Sequence, residues 1–183
     1  MSKRVKTGDV VEIHTARGLA YALYAIRHEQ MGGLLYILPG FFQRIPTDFS
    51  ELVKQSPRFV VFLPIEVAVQ RGIFKVVANI PVPNSMQKLP MFKQRGHIDR
   101  QGRVYDWILR EGERVRRVGR QLSPDYRRLP EYQIVNDTLL VERVEENWTP
   151  ELEMQRIENR GSGETPPWSG VLGIIRRFFG KTV

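Results

Sequence analysis

The residues able to do chemistry are few and scattered. Histidines stand at 14, 28 and 97. None has a second histidine or a carboxylate-rich loop at metal-ligand spacing, and there is no cysteine to supply a thiolate. Solvated or structurally satisfied imidazoles are the reading that spacing favours, and no metal is expected. Phosphate-cradling glycine loops and a Gly-x-Ser-x-Gly elbow are both missing from the sequence. Ser85-Met86-Gln87-Lys88 matches Ser-x-x-Lys, and Lys6-Thr7-Gly8 matches Lys-Thr-Gly. The order is the reverse of that in penicillin-recognising enzymes, and the Ser-Asp-Asn element they need is missing, so the match reads as chance. Glu111 and Glu113 are paired carboxylates, as are Glu145 and Glu146. Acid–base work needs two carboxyl groups about 5–10 Å apart across a cleft. These pairs read instead as turn and helix-surface residues. No catalytic residue and no cofactor is expected, and the chain reads as a non-enzymatic one.

What the sequence offers instead is surface. Arg110, Arg114, Arg116, Arg117 and Arg120 cluster around Glu111-Gly112, a β-hairpin signal. In a strand over 114–118, Arg114 and Arg116 share one side while Val115 and Arg117 take the other. Two readings stay open. The cluster can be a solvated edge whose charge blocks edge-to-edge aggregation, or a contact for phosphates or an acidic protein. Phe41-Phe42 follows the Pro39-Gly40 turn, and two adjacent aromatics on a strand cannot both point into one core. Either one is an exposed partner anchor, or the chain turns and buries both.

Charge supports a surface role. The net charge is +8 and uneven: +4 over residues 1–87, +7 over 88–128 and −3 over 129–183. Such asymmetry steers an acidic partner, unless the basic and acidic segments neutralise each other within the fold. With 183 residues and 42% hydrophobic content, the chain can build one domain with a real core. The opening residues carry charge but no apolar run of the 7–15 residues, roughly, that a secretory signal needs, and no run of about 18 apolar residues follows elsewhere. A cytoplasmic protein is expected.

The elements that must hold these residues read as an α+β fold. Strands are predicted over 10–14, 19–26 and 34–38, joined by turns at Ala16-Arg17-Gly18 and Gly32-Gly33. In the second strand, bulky Leu19, Tyr21 and Leu23 alternate with Ala20 and Ala22, so the bulky face is expected to point inward. Thr47 is expected to cap a helix over Asp48 to Gln55. A buried strand over 58–63, a helix from Ile65 to Gln70 ended by Gly72 and a strand over 73–80 follow. Residues 84–101 read as polar, basic and turn-rich. Further expectations are the hairpin over 104–109 and 114–118, a one-turn helix after Ser123-Pro124, and a short strand over 132–135. Asp137 is expected to cap a helix through about 147, and Thr149-Pro150 another through about 159. The whole predicts a strongly bent antiparallel sheet, a partial small β-barrel, with peripheral helices and a C-terminal helical segment. Residues 1–147 read as one domain; residues 148–183 read as a helical extension, a linker and a basic tail. In that tail Ile174, Ile175, Phe178 and Phe179 alternate with Arg176, Arg177 and Lys181, which would let it dock on the domain or touch an anionic membrane weakly.

From residue 6 to about 120 the chain resembles immunity protein 26, a family of bacterial polymorphic-toxin immunity proteins. The features that carry the likeness are Lys6-Thr7-Gly8-Asp9-Val10-Val11-Glu12-Ile13 and Phe59-Val60-Val61-Phe62, then Gly72, then Phe74-Lys75-Val76-Val77 leading to Ile80-Pro81-Val82-Pro83. Pro90-Met91-Phe92 and Tyr105-Asp106-Trp107 complete it. The resemblance implies a protein that binds and blocks a cognate toxin inside the producing cell, without catalytic residues. It names no toxin-binding positions. On the residues alone, the contact candidates are Phe41, Phe42, Arg110, Arg114, Arg116 and Arg117. A charge of +8 suggests a non-nuclease target, an acidic target surface, or a role outside immunity. The alternative is a nucleic-acid-binding module using 88–128, whose affinity would fall steeply with salt. Its interleaved aromatics, Tyr105, Trp107 and Tyr126, are few for base stacking.

Overall fold

Short turns containing glycine fold residues 9–37 into an antiparallel meander of β1 (Asp9–Thr15), β2 (Gly18–His28) and β3 (Gly32–Ile37). The structure, a computed structural model, describes residues 4–162. Gly18 cannot be replaced cheaply: its φ is +116°, and an added Cβ would meet the Phe42 carbonyl oxygen at 2.8 Å. β4 (Phe59–Leu63) pairs with β3, and β5 (Lys75–Asn79) pairs with β1, giving the order β4-β3-β2-β1-β5. Between β4 and β5 the chain crosses one face of this sheet through α1 (Ile65–Gln70), which buries Ile65 and Ala68. Bulges at Val10/Val11 and between Tyr24 and Ile26 interrupt the ladders.

The fold is α+β as expected, but the sheet is not closed into a barrel. A physical reason lies at β4. Its outer edge, where closure would occur, is taken by residues 131–135: Phe62 makes a parallel bridge with Ile134, and the Val135 N–H donates to the Phe62 carbonyl. The same segment bridges Lys93 to Glu131 on its other side. It thereby joins the first sheet to a second, β6-β7-β8, made of β6 (Phe92–Arg95), β7 (Trp107–Glu111) and β8 (Arg114–Gly119). The hairpin falls where Glu111-Gly112 placed it, with Gly112 at φ 57° in the first turn position. Apolar alternation does not mark β6, because its one apolar residue, Phe92, is followed by Lys93, Gln94 and Arg95 within a stretch that reads as polar and turn-rich.

Three buried clusters hold this together. On one face of the first sheet, Val11, Ala20, Ala22, Leu35 and Val61 pack with α1 and with Leu140 and Val144 of α3 (Asp137–Glu145), and with Trp148. On the other face, Val10, Tyr21, Leu23, Leu34, Tyr36 and Phe62 pack with Phe49, Leu52, Met86 and Phe92. The expectation of a single inward bulky face on β2 is therefore corrected. Both faces are core, and the small alanines leave room for α3. The third cluster joins Val104, Trp107, Leu109 and Leu122 to Met154 and Ile157 of α4 (Pro150–Ser162). The described part of the segment after 147 thus packs on the body; the tail candidates at 174–181 lie outside the described residues.

Two local expectations change. Residues 48–55 form turns, not a helix. The Asp48 carboxylate accepts the Ser50 N–H at 2.7 Å, a local bond that competes with helical pairing. Phe49, Leu52 and Val53 are buried all the same. The cap of α3 is Asn136 and not Asp137: the Asn136 side chain accepts the Leu139 N–H at 2.8 Å. Thr149 does cap α4, its hydroxyl accepting the Leu152 N–H at 3.2 Å. Asn136→Ala is expected to lower unfolding stability by about 1 kcal/mol in urea titration. Asp137→Ala should cost clearly less, and the opposite ranking would refute this cap assignment.

Candidate partner-binding surface

Phe41 and Phe42 turn to opposite sides, and each is half-buried against its own protein. Backbone bonds between Leu19 and Phe42, both 2.8 Å, pin this stretch to β2. The Phe42 ring lies 5.5 Å from that of Tyr21. The Phe41 ring sits beneath the guanidinium groups of Arg17, at 4.2 Å, and Arg58, at 5.1 Å. Those two arginines donate to the carbonyls of Glu145 and Val144, the last turn of α3. Unpaired carbonyls at a helix C-terminus attract such cations. Phe41 is thus a spacer inside a helix-to-sheet clasp, and neither ring stands free as an anchor.

The arginines of the hairpin do stand out. β8 is the outer strand of its sheet, and five of its six residues are exposed. Register divides the side chains as expected. Leu109 faces Arg116 and Glu111 faces Arg114 on the side covered by α4, while Arg110 faces Val115 and Ile108 faces Arg117 on the other. Arg116 donates to the Tyr126 hydroxyl at 3.0 Å. The Arg110 guanidinium bonds Gln94 and lies 4.7 Å from the Tyr132 ring centre. Arg117 Nε lies 2.9 Å from Asp106 Oδ2, a charge contact without hydrogen-bond alignment, and its side chain is 72% exposed. Arg120 lies over Tyr105 at 5.7 Å. Arg114 has no acidic partner among the described residues. Val115 is 55% exposed among these charges.

Sequence reasoning missed what holds this hairpin in place. At the junction of the two sheets lies a largely buried ionic cluster drawn from β6, the 131–135 segment, α3 and α4. Arg95 donates to Glu131 at 2.9 Å and to Glu153 at 2.8 Å. Arg143 approaches Glu131 at 3.8 Å and lies 4.0 Å over the Trp148 ring. The Trp148 indole N–H donates to Glu153 at 3.2 Å. Burial opposes charge on Glu153, yet that indole bond and Arg95 hold its carboxyl below the usual range. Lys93 is fully buried, with its amine bonded to the carbonyls of Arg127 and Pro150. Burial pushes that amine down from 10.5 to about 8, against the pull of Glu131 and Glu151. Deprotonated, it keeps two N–H donors and can still serve both carbonyls.

A depression of about 400 Å³ beside the cluster is lined by Val104, Trp107, Met154 and Ile157, with Arg103, Arg120 and Glu158 at its rim. This lining holds no hydroxyl or imidazole that could act as a nucleophile or base. No group of three or more acidic or histidine side chains able to hold a metal occurs among the described residues. No family model, no curated protein and no solved structure matches this chain.

Lys93 generates a pH signature with a defined sign. Below pH 8 the amine is charged in both folded and unfolded chains, and folding carries the cost of burying that charge. Between about 8 and 10.5 the folded protein releases the proton while the unfolded chain keeps it. The unfolded state then binds more protons, so this contribution to stability rises with pH. Compared with Lys93→Met in urea unfolding, the wild type is expected to gain across that window by as much as a few kcal/mol, and the difference should be flat from pH 6 to 7.5. A difference independent of pH up to 10.5 would contradict the burial of this amine.

Proposed function

We propose that this protein binds and neutralises an acidic protein, using the arginine-bearing hairpin of β7 and β8, and breaks no covalent bond. The observation that carries the reading is the exposed cationic strand at the edge of the second sheet, mounted on a buried joint. Long-range attraction to an acidic surface speeds encounter, and preformed geometry lowers the ordering cost of binding. Exposed Val115 supplies apolar area inside the charged array. The partner that the likeness to immunity protein 26 implies is a bacterial toxin encoded beside this protein. A net charge of +8 fits an inhibitor of an acidic toxin face.

Co-expression with the product of the adjacent gene tests this. The expected result is restored growth and a complex that survives purification at low salt. Arg114→Glu combined with Arg120→Glu should weaken that complex about tenfold or more, chiefly by slowing association. Co-expression that rescues nothing, or a double variant binding as tightly as wild type, would remove the reading.

A further inference from the structure

We infer that the free edge of β8 is a strand-addition site, where an extended acidic segment of a partner protein becomes the fourth strand of the sheet. The inference deepens the protein-binding reading above and rests on it. Three features of the edge point this way.

The first is backbone. Glu111 and Arg114 close a two-residue turn, and hydrogen-bonded pairs alternate along such a hairpin. Arg114 and Arg116 therefore spend their N–H and C=O groups on β7. Val115 and Arg117 present theirs to the open side. Among the described elements only β7 packs substantially against β8. An edge of this kind is a template for another strand.

The second is charge. β8 carries three arginines and no acid. A second copy of β8 would set arginine against arginine, which cross-strand pairing penalises. A strand of opposite charge meets no such barrier. The edge thus rejects its own kind and accepts an acidic segment, so the two readings of this cluster become one device.

The third is how the charges are divided. Arg114 and Arg116 project from one face, and Val115 and Arg117 from the other. A nucleic-acid backbone lying on either face would reach only part of the set. A partner strand sends its side chains alternately to both faces and reaches all of it. The matching segment has acidic residues opposite Arg114, Arg116 and Arg117, and an apolar residue opposite Val115.

Fluorescence anisotropy with the full chain and a labelled peptide of about eight residues tests this. The peptide carries the motif acid-apolar-acid-acid, in both chain directions. One direction is expected to bind, with affinity falling as salt rises. N-methylation of one alternate set of its amides should abolish binding, and methylation of the other set should change it less than threefold. Arg114→Glu and Val115→Pro should each weaken binding at least tenfold. The proline removes an outward donor only, and circular dichroism checks that the variant folds; where it does not, the methylated peptides and Arg114→Glu decide. Equal binding of both methylated peptides, no binding of either direction, or tighter binding of single-stranded DNA than of the peptide would each overturn the inference. Failure of toxin rescue with peptide binding intact would instead remove only the toxin reading.

Discussion

Buried Lys93, Arg143 and Glu131, with the half-buried pair Arg95 and Glu153, fix how the two sheets meet. Lys93 and Arg95 come from β6, Glu131 from the bridging segment, Arg143 from α3 and Glu153 from α4. Removing one member of such a set leaves an uncompensated charge in a low dielectric, which costs more than the intact set contributes. The cluster therefore acts less as a source of stability than as a constraint on register. Glu131 meets Arg95 and Arg143 while the Lys93 carbonyl accepts the Tyr132 N–H, so a one-residue shift of the 131–135 segment would break all three contacts. With that segment set, β6 is set, and the hairpin that extends from β6 is held as a platform.

The charge asymmetry of the sequence takes a specific form in space. The basic middle segment and the acidic segment after it do pack together, as Arg95 with Glu131 and Glu153, and Arg127 with Glu158. Neutralisation is confined to the joint and to α4. On the outer strand, among the described residues, Arg114 has no ion-pair partner, and Arg117 lies 2.9 Å from Asp106 yet keeps 72% of its side chain exposed. The two uses of arginine differ accordingly: those at the joint organise the interior, and those on β8 leave a positive field at the edge.

Local chemistry made much of the fold legible. Gly112 after Glu111 marked the hairpin, Pro64 and Gly72 bracketed α1, and Thr149-Pro150 opened α4. What escaped was decided by distant residues. Lys93 and Arg95 fall in a stretch that reads as polar, basic and turn-rich, and nothing nearby in sequence announces Glu131, Glu153 or the carbonyl of Pro150. Strand β6 was lost with them. Phe41 could not be placed without knowing that Arg17 and Arg58 converge on it from separate elements. The side-chain division on β8 was readable from alternation alone, and a solvated edge was one of the two readings of its arginines; the order β6-β7-β8 makes it an outer strand.

Residue-resolved amide exchange along β8, with and without the acidic binding segment, tests the central claim most directly. In the free protein the Val115 and Arg117 amides should exchange rapidly while those of Arg114 and Arg116 are protected. Addition of the segment should protect Val115 and Arg117 and leave the rest of the chain nearly unchanged. Protection that arises elsewhere, or no alternation along β8 in the free protein, would contradict the account.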